Sequence, residues 1–324
     1  MMEPFKISSL KLKSPIILAP MLDVADLPYR LICRKAGASL AYTEMLNAQA
    51  ILHENTKTKQ MMSTIKEDSP LGIQITGSRI QDFKKLIPYL RNYDLVDINC
   101  GCPSDRIISN NSGSFLLNAP KKIAEIIKLL KSNGLIVTAK IRLGFKTNNV
   151  LKIAKVIEKA GADALTIHAR LASQGYDVPA DWKWISKVKQ AVKIPVIGNG
   201  DIDSGEKAMQ MLKIADGAMI GRAAIGDPLV FKRILNYLRT GKEQAFSFKK
   251  NIKCFQEYLH LAKKYNLINI PKIKHLSCYF IKNIEGAAKL RQELMQKNTI
   301  SDIEWFVNCL TPFSKTSSSA SASS

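Results

Sequence analysis

Short apolar runs alternate with longer amphipathic stretches over the first 240 residues. The runs are "IILAP" (16–20), "LAYT" (40–43), "LGIQI" (71–75), "LVDIN" (95–99), "IVTAKI" (136–141), "ALTIH" (164–168), "IPVIG" (194–198) and "GAMIG" (217–221). Each is short, almost wholly apolar and rich in β-branched residues, as strands buried on both faces are. Between them, the spacing of apolar positions predicts helices over 79–91, 120–132, 149–160, 183–191 and 204–213. The segment "EKAGADALTIH" (158–168) shows the order helix, glycine stop, strand.

Eight strands alternating with helices predict an α/β fold, a (β/α)8 TIM barrel. A doubly wound open sheet is the alternative. It usually carries a G-x-G-x-x-G turn after its first strand. Here the first strand runs into "APMLDVADLP" (19–28), which has none. After residue 240 the pattern changes. "KKNIKCFQEYLHLAKKYNL" (249–267), "KIKHLSCYFIKNI" (272–284), "AAKLRQELMQK" (287–297) and "SDIEWFVNCL" (301–310) read as four helices. The expected organisation is a barrel over 1–240, a small helical domain over 241–312 and a disordered Ser/Ala tail over 313–324.

Charge adds a partner to this picture. The net charge is +21, from 48 basic and 27 acidic residues. Such a surface attracts phosphate backbones through counterion release, so nucleic acid is the leading partner. A surface merely rich in lysine is the bland alternative. No long apolar run predicts a membrane span, and the N-terminus lacks the order of a signal peptide, so the cytoplasm is expected.

A barrel puts its chemistry at the C-terminal ends of its strands. Those ends carry Pro20 and Met21, Gln74, Asn99, Lys140 and Arg142, His168 and Arg170, Asn199 to Asp201, and Gly221 with Arg222. "IGNGDI" (197–202) and "IGRAAIGDP" (220–228) lie after strands 7 and 8, where such barrels commonly bind phosphate. Their glycines let N–H groups approach an anion, and Arg222 adds charge. Tight turns alone would also explain the glycines. Lys140 on an apolar strand needs an anionic partner. A reduced flavin or a carboxylate such as Asp97 would each serve. His168 lacks companions at metal-ligand spacing, so no metal is expected.

"DINCGCP" (97–103) places Cys100 and Cys102 one residue apart. Zinc sites want two spaced pairs, and a disulfide is strained at this spacing. The two cysteines of this extended stretch are expected to point to opposite sides. One thiol can then pack while the other faces the mouth as a nucleophile or acid. Simple packing of both remains the alternative.

The motifs "APMLDVADLPYR" (19–30), "GIQITG" (72–77), "DINCGCPS" (97–104), "TAKIRLG" (138–144), "LTIHAR" (165–170), "QGYDVPADW" (174–182), "IGNGDI" and "MIGRAAIGDP" (219–228) occur in order. In these the chain resembles the flavin-dependent tRNA-dihydrouridine synthases over roughly residues 10–310. The resemblance implies FMN as cofactor, NADPH or NADH as reductant, and reduction of the uridine C5=C6 bond in tRNA. It implies that Pro20, Met21 and Leu22 line the flavin ring and that Gln74 and Lys140 meet its polar edge. His168 would lie near the flavin, and Asn199, Gly200, Asp201, Gly221 and Arg222 would hold its phosphate. Asn99 and Arg170 would approach the substrate, and Cys102 would be the catalytic acid. The helical domain would help grip tRNA, and a monomer is expected.

The chain departs from the family pattern locally. Ser104-Asp105-Arg106 stands where a basic pair is common, and Asn110 to Phe115 replaces a loop rich in glycine and alanine. Ala169 stands where glycine is common. A flavin enzyme acting on free pyrimidines and a non-catalytic RNA-binding barrel are the competing functional classes.

Overall fold

The computed structural model describes residues 5–282 and 284–310, and the tail expected over 313–324 lies outside the described residues. Eight parallel strands form the ring, β1 (Ile16–Leu18), β2 (Ala41–Tyr42), β3 (Leu71–Thr76), β4 (Leu95–Cys100), β5 (Val137–Arg142), β6 (Ala164–His168), β7 (Val196–Asn199) and β8 (Gly217–Ile220), and a short ninth, Leu46–Asn47, pairs with β3 off that path. The eight pair in the order β1-β8-β7-β6-β5-β4-β3-β2. The ring closes between β1 and β2, where Leu18 N–H donates to the Leu40 carbonyl at 2.9 Å and Ser39 N–H to the Ile16 carbonyl at 3.0 Å. This is the expected (β/α)8 barrel.

A helix follows each strand: α1 (Leu27–Lys35), α2 (Ala48–Leu52), α3 (Ile80–Leu90), α4 (Pro120–Lys131), α5 (Val150–Lys159), α6 (Lys183–Ala191), α7 (Gly205–Leu212) and α8 (Val230–Thr240). Their buried positions repeat at helical spacing. In α4 these are Ile123, Ile126, Ile127 and Leu130, each fully buried. Each contributes about 1.5–3 kcal/mol by burial.

Strand alternation sorts residues between two surroundings. Val96, Ile98 and Cys100 of β4 join the core under the helices, whereas Leu95 joins the core inside the barrel. Asp97 and Asn99, two and four residues on from Leu95, share its inward face. Cys100 therefore packs away from the lumen, and burial pushes its thiol pKa well up. An antiparallel hairpin, Phe5–Ile7 with Leu10–Leu12, plugs the barrel floor with Phe5, Ile7 and Leu12.

Four further helices complete the described chain: α9 (Phe248–Lys264), α10 (Ile270–Phe280), α11 (Ala287–Met295) and α12 (Ile300–Cys309). Their core is continuous with that of the barrel. Tyr29 of α1 packs edge-on against Tyr258 and Phe280, with ring centroids 6.1 and 6.4 Å away. Lys272 bridges Asp26 and Glu44 at 3.0 Å each, and the Tyr258 hydroxyl donates to Asp26 at 3.1 Å. The same helices clamp the loop after β8. Asn251 Nδ2 donates to the Gly226 carbonyl at 2.6 Å, and Gly226 N–H donates to the Tyr29 hydroxyl at 3.0 Å. Gly226 has φ +70°, and a Cβ there would sit 2.4 Å from Tyr279. Only glycine meets both demands.

Candidate active site

A cavity of about 720 Å³ opens at the C-terminal ends of the strands. Pro20 and Met21 line it from the loop after β1 and Lys140 from β5. His168 and Arg170 line it from the end of β6, and Asn199, Gly200 and Asp201 from the end of β7. Gly221 and Arg222 line it after β8. Leu22, Gln74, Asn99 and Cys102 are not in its wall, and Leu22 is 54% exposed.

The β6–β8 side is built from charge. Arg170 is 1% exposed. Its Nη2 donates to both Asp201 oxygens at 2.8 and 2.6 Å, its Nη1 to His168 Nε2 at 3.0 Å and its Nε to the Val178 carbonyl. Guanidinium only donates, so His168 Nε2 accepts and the ring proton sits on Nδ1. Burial, then the charges of Lys140, Arg142, Arg170 and Arg222, push His168 down to about 2, so the ring is neutral. Asp201, at φ +56°, also accepts from Arg222 Nη2 at 2.7 Å and Ala180 N–H at 2.9 Å. Burial raises its pKa, but the Arg170 hydrogen bond, the Ala180 N–H and the two arginine charges outweigh that and hold it low.

The glycines of this side differ in purpose. Gly200 has φ +118°, and a Cβ there would lie 2.8 Å from Ala180 Cβ and 3.1 Å from His168 Cδ2. Gly221 meets no such obstacle, its nearest neighbour being Ala19 Cβ at 3.8 Å. A side chain at Gly221 would fill the cavity instead. Arg222 then opens the short turn Arg222–Ala224. The first N–H groups of such a turn have no acceptor within it and suit an anion.

The β3–β5 side is built from a thread of hydrogen bonds. Asp97 Oδ2 accepts from Gln74 Nε2 at 2.7 Å, and Oδ1 from the Thr138 hydroxyl at 2.6 Å. Gln74 Oε1 accepts from Asn99 Nδ2 at 2.9 Å. Asn99 Oδ1 accepts from Gly101 N–H at 3.1 Å and Cys102 N–H at 2.9 Å. Asp97 is pushed up to about 6 by burial, against the Gln74 and Thr138 hydrogen bonds and the Lys140 charge. With its oxygens so engaged, Asp97 forms no ion pair with Lys140. The Lys140 ammonium has no hydrogen bond or ion pair to any described residue. Burial and Arg142 push it down to about 8 against the pull of Asp97 and Cys102.

Cys102 is half-buried, within electrostatic reach of Lys140 and Arg142. Its carbonyl accepts from Ser114 N–H at 2.9 Å, which folds the divergent loop back on it. Asn111 takes φ +52° there. Phe115 fits by packing edge-on against Phe145, centroids 6.2 Å apart.

Three side chains beyond the expected set shape the cavity. Tyr176 stacks on His168 with centroids 6.1 Å apart and lies under the Arg222 guanidinium at 4.0 Å, yet is 57% exposed. Its signal was present, an aromatic residue inside the polar motif "QGYDVPADW" (174–182). Tyr279 and Lys282, at and just beyond the C-terminal end of α10, complete the rim. No local pattern marks them, because α10 reaches the mouth through tertiary contacts: Lys272 on Asp26 and Glu44, and Phe280 on Tyr29.

The model of the dihydrouridine synthase family matches residues 17–315. The chain belongs to that family. Among its relatives, a probable tRNA-dihydrouridine synthase 1 of Synechocystis is 37% identical over 314 residues, covering 93% of this chain and 87% of the relative. The tRNA-dihydrouridine synthase B of Vibrio parahaemolyticus is 39% identical over 243 residues, covering 73% and 76%. Histamine dehydrogenase from Rhizobium shares the fold at a TM-score of 0.53 and 16% identity, over 80% of this chain and half of its own. For this dihydrouridine synthase, the family and the barrel are thus established independently of the cavity.

Proposed function

We propose that this dihydrouridine synthase reduces the C5=C6 bond of uridine in tRNA, with FMN as cofactor and NADPH or NADH as reductant. The observation that carries the cofactor assignment is Lys140. It is a largely buried ammonium with no partner among the described residues, aimed at a cavity whose far wall is the open cradle at Gly221. An anionic flavin edge suits the first feature, and its phosphate suits the cradle beside Arg222. Bound FMN supplies the hydride that C6 receives.

The chain's own residues do the rest. Pro20 and Met21 offer apolar surface to the ring, with Leu22 exposed beside them. Lys140 would meet its polar edge and His168 would present Nδ1–H near it, whereas Gln74, given to that edge by the family resemblance, is 1% exposed and outside the cavity wall. Asn199, Gly200, Asp201, Gly221 and Arg222 hold the phosphate, with Asp201 orienting Arg222. Cys102 holds the proton that C5 takes as charge develops there, and is reprotonated from solvent. The substrate roles are assigned to Asn99, on the β3–β5 side, and to Arg170, on the β6–β8 side. A stacked base cannot reach this site, so the uridine is flipped out at a cost of a few kcal/mol. Phosphate contacts of the basic helical unit over 241–312, with Lys282 at the rim, offset that cost.

The test is to incubate the purified flavoprotein, NADPH and unmodified tRNA and then map dihydrouridine along the RNA. New dihydrouridine that appears only with reductant supports the reading. Colourless protein that binds tRNA, or activity on dihydroorotate alone, sinks it.

A further inference from the structure

Cys102 must be held still to deliver a proton; Ser114 N–H holds its carbonyl, and a thread of hydrogen bonds holds its own N–H. That thread begins at Asp97. Strand register sets the layer: Gln74 pairs with Asp97, and Asp97 with Thr138, across β3, β4 and β5. We propose that Asp97 is a positioning residue for Cys102, acting through the Gln74 and Asn99 amides on the Gly101 and Cys102 N–H groups. This rests on the reading of Cys102 as the proton donor.

The direction of every link is determined at the two ends. A carboxylate accepts only, so Gln74 must turn its NH2 toward Asp97. Its Oε1 is then left for Asn99, which must give its own NH2. Asn99 Oδ1 is left to accept, and the far end holds two backbone N–H groups that can only donate. A side-chain amide without such anchors can sit either way round. Reversal at Gln74 would set NH2 against NH2, and Asn99 would turn a donor toward the Cys102 N–H.

Besides its electrostatic pull on Lys140, the Asp97 carboxylate bonds only Gln74 and Thr138 among the described residues. Asp97 is 1% exposed and ion-paired to no described residue. A buried acid without a cation is costly, and burial has raised its pKa accordingly. Thr138, its other partner, leads nowhere in the cavity wall. In the structure the acid orients Gln74, which is 1% exposed, and through it Asn99, which is 8% exposed.

The test uses the flavin-loaded, full-length protein and two half-reactions: reduction of the flavin by NADPH, and its reoxidation by unmodified tRNA. Asp97→Ala removes the acceptor. It is expected to slow reoxidation by about 10- to 100-fold, the scale of a small misplacement, with reduction within about threefold of wild type. Asp97→Leu serves in its place if the alanine variant does not fold. Asp97→Asn keeps an oxygen for Gln74 and offers its NH2 to Thr138, and should restore most of the loss. In a Cys102→Ala background, Asp97→Ala should add less than about twofold, because a positioning effect vanishes with its target. The proposal is overturned by reoxidation near the wild-type rate, by equal slowing of both half-reactions, or by independent multiplication with Cys102→Ala. A wild-type flavoprotein that tRNA cannot reoxidise would instead defeat the reading of function.

Discussion

The two sides of the barrel mouth are built on opposite plans. On the β6–β8 side, Asp201 takes two arginines and a backbone N–H, and Arg170 reaches His168 and the Val178 carbonyl besides. Loss of one contact there leaves others in place. On the β3–β5 side, neutral amides run in single file from one carboxylate to the Cys102 loop. The two inner links, Gln74 to Asp97 and Asn99 to Gln74, have no duplicate among the described residues. The meshed side suits a group that stays bound, and the single file suits an atom that must be placed within a fraction of an ångström. Single substitutions should therefore be graded more steeply on the β3–β5 side.

The largest expected effect is at the end of the file. Cys102→Ala should lower tRNA turnover by about 10²- to 10⁴-fold, the usual worth of a general acid, while keeping the flavin absorbance. Turnover close to wild type would remove the chemical role of that side. Lys140→Met comes next. Loss of one charge-assisted contact should weaken FMN by about 10- to 100-fold in a fluorescence titration. The same titration carries a pH signature. The free Lys140 ammonium loses its proton near pH 8, so affinity should fall as pH rises through that value. The Lys140→Met variant should show a flatter profile. Arg222→Ala should cost the least, about 3- to 10-fold in FMN affinity, since the cradle N–H groups and Arg170–Asp201 remain. If Arg222→Ala proves worse than Lys140→Met, the meshed side is not redundant.

Much of this was legible in the sequence. All eight strands were expected within about two residues, because a strand buried on both faces leaves an unbroken apolar run. The floor hairpin was not, since three-residue strands show no period. Helix α1 was also missed, because Arg30 is buried there in a salt bridge with Asp68 and breaks the apolar face. Most of the expected residues that line the cavity stand out locally, as glycines and isolated charges at strand ends. The sequence also raised Asp97 as a carboxylate for Lys140. In the structure its oxygens face Gln74 and Thr138, a choice made by register between strands and invisible along any one of them. Tyr279 and Lys282 were unreadable for the same reason, as they reach the mouth only through tertiary docking.

The hairpin plug has a consequence for traffic. Among the described residues, Phe5, Ile7 and Leu12 pack across the floor, and the cavity opens at the opposite end. Everything that visits Lys140 and Cys102 enters and leaves on the same side, past Tyr176 and Lys282. In the proposed reaction the nicotinamide and the RNA must queue there, each departing before the other arrives, so the protein works by turns and keeps the electrons in between.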